Sequence, residues 1–234
     1  MSVLPPTHEK PRYVRDMFAR IAPRYDLLNR LMTGGQDVRW RREVIRRARV
    51  RPGQRLLDIG AGTGDLAREA RRQQPAARVV AADFTLPMMQ VGRRRTGAET
   101  IGWAAADALR LPFASNAFDA VVSGFLLRNV ADVLQALREQ YRVLRPGGRI
   151  VILETTRPPG GLLGALVRLH FRLVIPALGR LVAGDAQAYR YLPRSSEQFL
   201  SAAQLAAHLA AVGFRHIGYR KRMLGTVAIH WAVK

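Results

Sequence analysis

The stretch Leu56-Leu57-Asp58-Ile59-Gly60-Ala61-Gly62-Thr63-Gly64-Asp65 decides the fold. A short apolar run leads into an acidic residue, glycines alternate at 60, 62 and 64, and Leu66, Ala67 and Ala70 then begin a helical rhythm. That order reads strand, tight turn, helix. Glycines at such a turn let the backbone approach a bound molecule where a Cβ would collide. The run Arg78-Val-Val-Ala-Ala ends in Asp83, nineteen positions beyond Gly64. A carboxylate at the end of the second strand is suited to accept both hydroxyls of a ribose. A tight turn with no ligand is the plain alternative, and Asp58 and Asp83 on either side of the glycines weigh against it.

A dinucleotide fingerprint requires its third glycine at position 65, where this chain has Asp65. The Gly-x-Gly-x-Gly spacing resembles instead the nucleoside loop of class I S-adenosylmethionine methyltransferases, whose cofactor has no pyrophosphate to cradle.

Working outward, the alternation continues. A helix is expected to about Gln74, a second strand ending at Asp83, a helix from Pro87, and a third strand over Ile101 to Ala105. The polar step Asp107-Ala108 after it suits an adenine amine. Phe118 to Gly124 reads as strand four, Val130 to Leu144 as a helix, Arg145-Pro146-Gly147-Gly148 as a turn, and Arg149 to Glu154 as strand five. Strands alternating with helices imply parallel pairing and right-handed crossovers. The expected fold is therefore α/β: a doubly wound, mostly parallel, Rossmann-like sheet with its ligand over the carboxyl ends of the strands. A helix from Ala202 to Val212 and two β-like runs, His216 to Arg220 and Gly225 to Ala232, are expected to add an antiparallel edge hairpin.

Upstream, residues 1–12 read as a loose tail, and Val14, Met17, Phe18 and Ile21 as a helix stopping near Pro23. A further helix starts at Asp37 and carries an arginine run that reads as a solvated face. The division expected is an N-terminal helical cap (1–50), a cofactor-binding core (51–156), a lid (157–196) and a completing C-terminal segment (197–234). In the lid, Leu162, Leu166, Leu169 and Leu173 form one helical stripe opposite Arg168 and Arg172, a basic amphipathic pattern.

Composition narrows the function classes. At 234 residues, 48% hydrophobic and 24% charged, the chain can bury a full core. Its net charge is +21, and among its 38 basic residues only Lys10, Lys221 and Lys234 are lysines. Such a surface attracts anionic lipid or nucleic acid. The absence of cysteine excludes disulfides, thiolate nucleophiles and zinc–thiolate sites. The five histidines show no ligand spacing, so no metal is expected. No apolar run reaches ~20 residues, and the first ten residues lack a signal-peptide core, so the expected location is the cytoplasm, at the inner face of the membrane.

Four further motifs are specific. They are Tyr25-Asp26-x-x-Asn29-x-x-Met32-Thr33 with Trp40, then Leu127-Arg128-Asn129-Val130, then Arg142-Val-Leu-Arg145-Pro-Gly-Gly-Arg-Ile-Val-Ile-Leu-Glu154-Thr-Thr156, then Tyr189-Arg-Tyr-Leu-Pro193. In this order, over residues 14 to 232, the chain resembles the ubiquinone/menaquinone biosynthesis C-methyltransferases. It departs from that pattern at Thr33, Asp37, Gly124, Leu126, Arg145 and Thr156. The resemblance implies S-adenosylmethionine as cofactor, held by Thr63, Asp83, Asp107, Ala108 and the Ser123–Gly124 step. Gly60, Gly62, Gly64 and Asp83 follow independently from the residues, and Asp58 is expected to orient the loop and reach the cofactor's amino group through water.

The implied substrate is a lipophilic prenylated quinol. Methylating its ring carbon needs electron density there, which loss of a phenolic proton supplies. A phenol of the tyrosine type has a pKa of about 10, so a site working near neutrality must favour the anion. Arg128, held by Asn129, is the candidate cation beside the ring oxygen. Asp26 and Asp37 are candidate proton acceptors, and Tyr25 a hydrogen-bond partner for the second oxygen. Asn29 and Trp40 stand on the substrate side, with Arg190 and Tyr191 closing from the lid. The plain alternatives are an N-cap role for Asp26, a helix-environment role for Arg128, and core packing for Tyr25 and Trp40. Demethylmenaquinol is the favoured acceptor, a 2-polyprenyl-6-methoxy-benzoquinol the alternative. Expected partners are this quinol and an anionic membrane surface, with a homodimer left open. A nucleic-acid methyltransferase is the rival, but strand four lacks an Asn/Asp-Pro-Pro-aromatic motif and there is no cysteine nucleophile.

Overall fold

A computed structural model describes Pro6 and residues 9–157 and 188–234. The stripe from Leu162 to Leu173 lies outside the described residues, as does the side chain of Arg190. The strands are β1 (Arg55–Ile59), β2 (Arg78–Asp83), β3 (Gly102–Ala105), β4 (Phe118–Gly124), β5 (Leu144–Thr155), β6 (Arg215–Arg222) and β7 (Val227–Val233). They form one sheet in the order β3-β2-β1-β4-β5-β7-β6. The first five pair in parallel, and β7 and then β6 add antiparallel at the far edge. The doubly wound sheet and its edge hairpin are thus as the sequence indicates. The strand order reverses between β1 and β4, which leaves a crevice above β1, where the glycines lie.

Alternation along β1, β4 and β5 divides the interior. Leu57, Ile59, Val121, Ile150 and Ile152 pack in one core with α6 (Val133–Val143) and α8 (Ala202–Val212). Leu56, Ala120, Val122, Val151 and Leu153 pack in the other, with α3 (Gln36–Ala48) and α4 (Asp65–Gln73). Helices on both faces explain why these strands are apolar at almost every position. A third cluster joins Met17 and Ile21 of α1 (Lys10–Ile21), Leu28 of α2 (Tyr25–Thr33) and Tyr191 of α7 (Ala188–Glu197). The remaining helix, α5 (Leu86–Arg93), follows β2.

The structure corrects several boundaries. The first helix begins at Lys10, two residues before Arg12, so part of the expected tail is helical. Tyr25–Thr33, to which the sequence analysis assigns a motif but no element, forms a full helix ended by left-handed Gly34. Asp26 therefore lies in the first turn of α2 and is not its N-cap. The segment after β4 splits into a 3-10 turn, Leu127–Asn129, and α6, whose N-cap Asp132 accepts from the Gln135 N–H at 2.9 Å. Arg145 to Gly148 do not end an element: they form a bulge inside β5, where the partner of Phe118 is Leu144 and that of Ala120 is Arg149. The chain's last residue secures this bulge, because Gly147 N–H donates to the Lys234 carbonyl and Lys234 N–H to that of Gly148. The arginine run of α3 is mostly solvated, but Arg41 is buried and Arg47 stacks on Trp231 at 3.6 Å.

Gly64 illustrates how tightly the turn is set. Its φ is +78°, and a Cβ there would lie 2.6 Å from Trp103 Cη2. Gly64→Ala is expected to cost about 2 kcal/mol, from left-handed strain plus overpacking, and to lower the melting temperature by roughly 4–8 °C. Thermal unfolding followed by circular dichroism checks this.

Candidate active site

The carboxyl ends of β1, β2 and β4 each present a polar or glycine position to one crevice, and each has a local cause. Asp58 in β1 is 1% exposed, and its Oδ2 accepts the Ala67 N–H of α4 at 3.0 Å, anchoring the helix that follows the glycine turn. Its Oδ1 has no partner among the described residues. Burial pushes the Asp58 carboxyl well above the usual range, and the nearby Asp83 charge adds to this, against the Ala67 hydrogen bond. Asp83 closes β2: its Oδ2 accepts from Gly62 N–H and its Oδ1 from Thr85 N–H, both at 2.7 Å. Burial raises its pKa too, while those backbone donors hold it down. The Asp83 carboxylate thus ties the glycine turn of β1 to the start of α5. Gly60 has φ +65°, and a Cβ on it would sit 2.7 Å from Leu126 Cδ1.

A cavity opens over these groups, enclosing about 860 Å³ including its mouth. Its cofactor-side wall holds Gly60, Gly62, Asp83, Asp107, Ala108 and Gly124, so six of the expected cofactor positions converge. Phe84, Met88 and Leu109 add apolar surface. Thr63 and Ser123 do not line it. Thr63 Oγ1 donates to Asp26 Oδ1 at 2.8 Å, and Ser123 is fully buried with no partner for Oγ among the described residues. An aspartate pair, one oxygen of it orphaned, beside a glycine cradle and an apolar slot, fits a nucleoside bearing a cationic side chain.

The opposite wall comes from α1 (Pro11, Val14, Phe18), from Tyr25, and from Asn129 to Ala131. Tyr25 packs edge-on against Phe18 with ring centroids 5.6 Å apart, and burial raises its phenol pKa, opposed in part by the polar side chain of Asn29 beside it. It is a neutral donor at physiological pH. Arg128 is 8% exposed and is held by Glu154, not by Asn129 as expected. Its Nη1 lies 2.5 Å from Glu154 Oε1, while the Thr155 N–H also donates to that oxygen at 2.8 Å. Asn129 donates instead to the Phe125 carbonyl, at 2.9 Å, and accepts from the Tyr191 hydroxyl at 3.2 Å. Tyr191 is fully buried, its ring tilted at 47° against that of Tyr13 with centroids 5.5 Å apart, and its pKa is pushed up to about 12 by burial. It braces the Arg128–Asn129 turn and is not among the cavity's lining residues.

Three expected substrate-side residues sit elsewhere. Trp40 is 3% exposed among Val44, Leu56 and Leu66, in the core between α3 and the sheet. Asp37 is fully buried and is neutralised by Arg30, at 2.7 Å, and by Arg41. That network fixes α2 against α3 and occupies the Asp37 carboxylate away from the cavity. Asn29 is buried next to Tyr25 and supports it. Asp26 is bound by Thr63 and by Arg95, which joins the cap to the glycine turn. Glu154 is given no role by the sequence analysis, yet here it holds Arg128. A signal is present: Ile-Val-Ile-Leu153-Glu154 places a carboxylate next to the end of an apolar strand, as β1 does with Asp58, while β2 ends in Asp83.

The chain is similar to several known proteins. A protein 48% identical over 216 residues, covering 92% of this chain and 98% of its own length, is the demethylmenaquinone methyltransferase of Thermus thermophilus. Another, 47% identical over 221 residues and covering 94% and 90%, is the ubiquinone/menaquinone biosynthesis C-methyltransferase UbiE of Desulfotalea psychrophila. Among solved structures, the Haemonchus contortus phosphoethanolamine N-methyltransferase 2 in complex with S-adenosyl-L-methionine shares the fold at a TM-score of 0.64 and 19% identity. That match covers 84% of this chain, which spans about half (52%) of that structure's length. The ubiE/COQ5 methyltransferase family model matches residues 6–234, which takes in both walls of the cavity, and the chain belongs to that family.

Proposed function

We propose that this protein methylates a ring carbon of a prenylated quinol with S-adenosylmethionine, demethylmenaquinol being the favoured acceptor. The observation that carries the reading is the pairing, across one cavity, of the Asp83–Gly62 nucleoside wall with the Tyr25–Asn129 wall, behind which lies the buried Arg128. The names of the relatives point to the same substrate class. When bound, the cofactor supplies an electrophilic methyl on a sulfonium.

The chain's own groups do the rest. Asp83 keeps lone pairs free for ribose hydroxyls while its backbone donors hold it in place. Asp58, with one orphaned oxygen, is stabilised as a carboxylate by a cationic neighbour. Asp107 and Ala108 face the base. On the other wall, neutral Tyr25 donates to one ring oxygen, and Arg128 favours ionisation of the other. Because Asp26 and Asp37 are both paired with arginines, water at the cavity mouth takes the phenolic proton. The ring carbon, once it carries the methyl, releases its own hydrogen as a proton to water while the ring oxygen is reprotonated, which restores the aromatic quinol. The walls then act by alignment and exclusion of bulk water.

Incubating the protein with methyl-labelled S-adenosylmethionine and each reduced quinone tests the reading. One label on the ring carbon of demethylmenaquinol, located by mass spectrometry and NMR, is expected. No labelled quinol of either class would overturn it.

The route to the substrate follows from the surface. Among the described residues no helix is long and apolar enough to cross a membrane. Leu27 and Leu31 on α2, and Phe84 and Leu86 after β2, are large apolar residues 45–55% exposed on two of the segments that build the cavity. With a net charge of +21 around them, they suit contact with an anionic bilayer holding the quinol. Co-sedimentation with anionic vesicles is expected at low salt and should weaken as salt rises; indifference to vesicles at low salt would remove this part of the proposal.

A further inference from the structure

Lys10 has no local reason to be where it is. It is the first residue of α1, the positive end of that helix's dipole, where a cation is disfavoured. It is also partly buried, and burial pushes its ammonium pKa down. Two groups offset these costs. Its Nζ donates to the Val130 carbonyl at 2.8 Å, and the Glu154 carboxylate is close enough to favour its charge, while Arg128 is close enough to oppose it. Pro11, Val14 and Phe18, on the adjoining face of the helix, line the cavity, and so do Asn129, Val130 and Ala131 at the carbonyl end of the contact. Lys10 therefore clasps the two halves of the substrate-side wall.

Charges around this clasp do not cancel. Among the described residues whose charges act on Lys10, Glu154, fully buried, is the carboxylate and Arg128 the second cation. Other ionisable groups facing the cluster among the described residues are Tyr13, Tyr25 and Tyr191, with Asp26 and Arg41 behind Tyr25. Tyr25 and Tyr191 are kept neutral by burial. A ring oxygen entering beside Tyr25 would thus meet a net positive site only while α1 is docked.

We propose that Lys10 is a positioning residue for methyl transfer: from α1 it fixes the Arg128–Val130 turn and supplies the second cation that makes this wall favour a phenolate. The proposal rests on the quinol-methylation reading above. Two measurements test it on the full-length protein, using Lys10→Met and Lys10→Arg. First, binding of S-adenosylhomocysteine by calorimetry should stay within about threefold of wild type in both variants, whereas kcat on the reduced quinone should fall roughly 30-fold in Lys10→Met, the effect of one lost charge contact in a dry site, and recover most of the way in Lys10→Arg. Second, with S-adenosylhomocysteine present, 4-nitro-1-naphthol, whose anion absorbs visible light, should ionise at lower pH bound to wild type than free. Lys10→Met should return the midpoint upward by at least about half a unit, and Lys10→Arg should not. A Lys10→Met protein with unchanged kcat and unchanged probe midpoint would overturn the inference, as would equal losses in both variants or a wild type that leaves the probe unshifted. A wild type that shifts the probe yet methylates no quinol would overturn the functional reading alone.

Discussion

Arg128→Met is expected to cut turnover at least ~10³-fold while lowering cofactor affinity little, because the guanidinium lies behind the Tyr25–Asn129 wall and not among the residues of the nucleoside wall. The substitution has a second consequence, set by the partner it leaves behind. Glu154 is fully buried, and breaking a buried ion pair by removing one partner costs about 3–5 kcal/mol; the Lys10 ammonium, whose hydrogen bond goes to the Val130 carbonyl, offsets only part of that. The single variant is therefore also expected to melt early. Removing both charges, in Arg128→Met/Glu154→Gln, should restore most of the stability, since a neutral amide can still accept the Thr155 N–H that Glu154 Oε1 now accepts. It should restore none of the activity. Melting curves and single-turnover rates on the two variants separate the roles: activity returning with stability would make Arg128 a structural residue only.

Asp83→Ala should strike the other wall. Its two oxygens accept Gly62 N–H and Thr85 N–H, both buried contacts, so the substitution strands two donors and frees the glycine turn. Each unsatisfied buried donor costs about 1–3 kcal/mol, and the ribose loses its acceptor as well, so affinity for S-adenosylhomocysteine should fall at least ~100-fold. Asp83→Asn can still accept through one oxygen but presents a donor at the second, and is expected to fall between alanine and wild type. Calorimetry reads both. If Asp83→Ala binds within about threefold of wild type, the nucleoside wall has been misplaced.

The charged interior also explains which expectations survived. Asp58, Asp83 and Glu154 share one pattern, a carboxylate at or next to the end of an apolar strand, and all three lie at the carboxyl edge of the sheet with backbone donors aimed at them. That pattern is readable because strand termini and crevice position follow from parallel pairing alone. Asp37 and Asp26 look equally available in sequence. Only the approach of α2 to α3 and to the glycine turn brings Arg30, Arg41 and Arg95 within reach of them. Trp40 likewise sits in a polar-aromatic motif, yet its position on α3 aims it between Val44 and the sheet.

What the sequence determined by itself is the order and type of the core elements and the position of the nucleotide-type turn. Local rules govern those: apolar runs of strand length, helical spacing between them, and glycines where φ must be positive. What tertiary structure alone decided is which charges meet. The pairing of Arg128 with Glu154 spans 26 residues, that of Asp26 with Thr63 spans 37, and the clasp of Lys10 on Val130 spans 120. Such pairs are chosen by how helices dock on a finished sheet, because a buried charge must find a partner wherever packing places one, and no spacing along the chain encodes that distance.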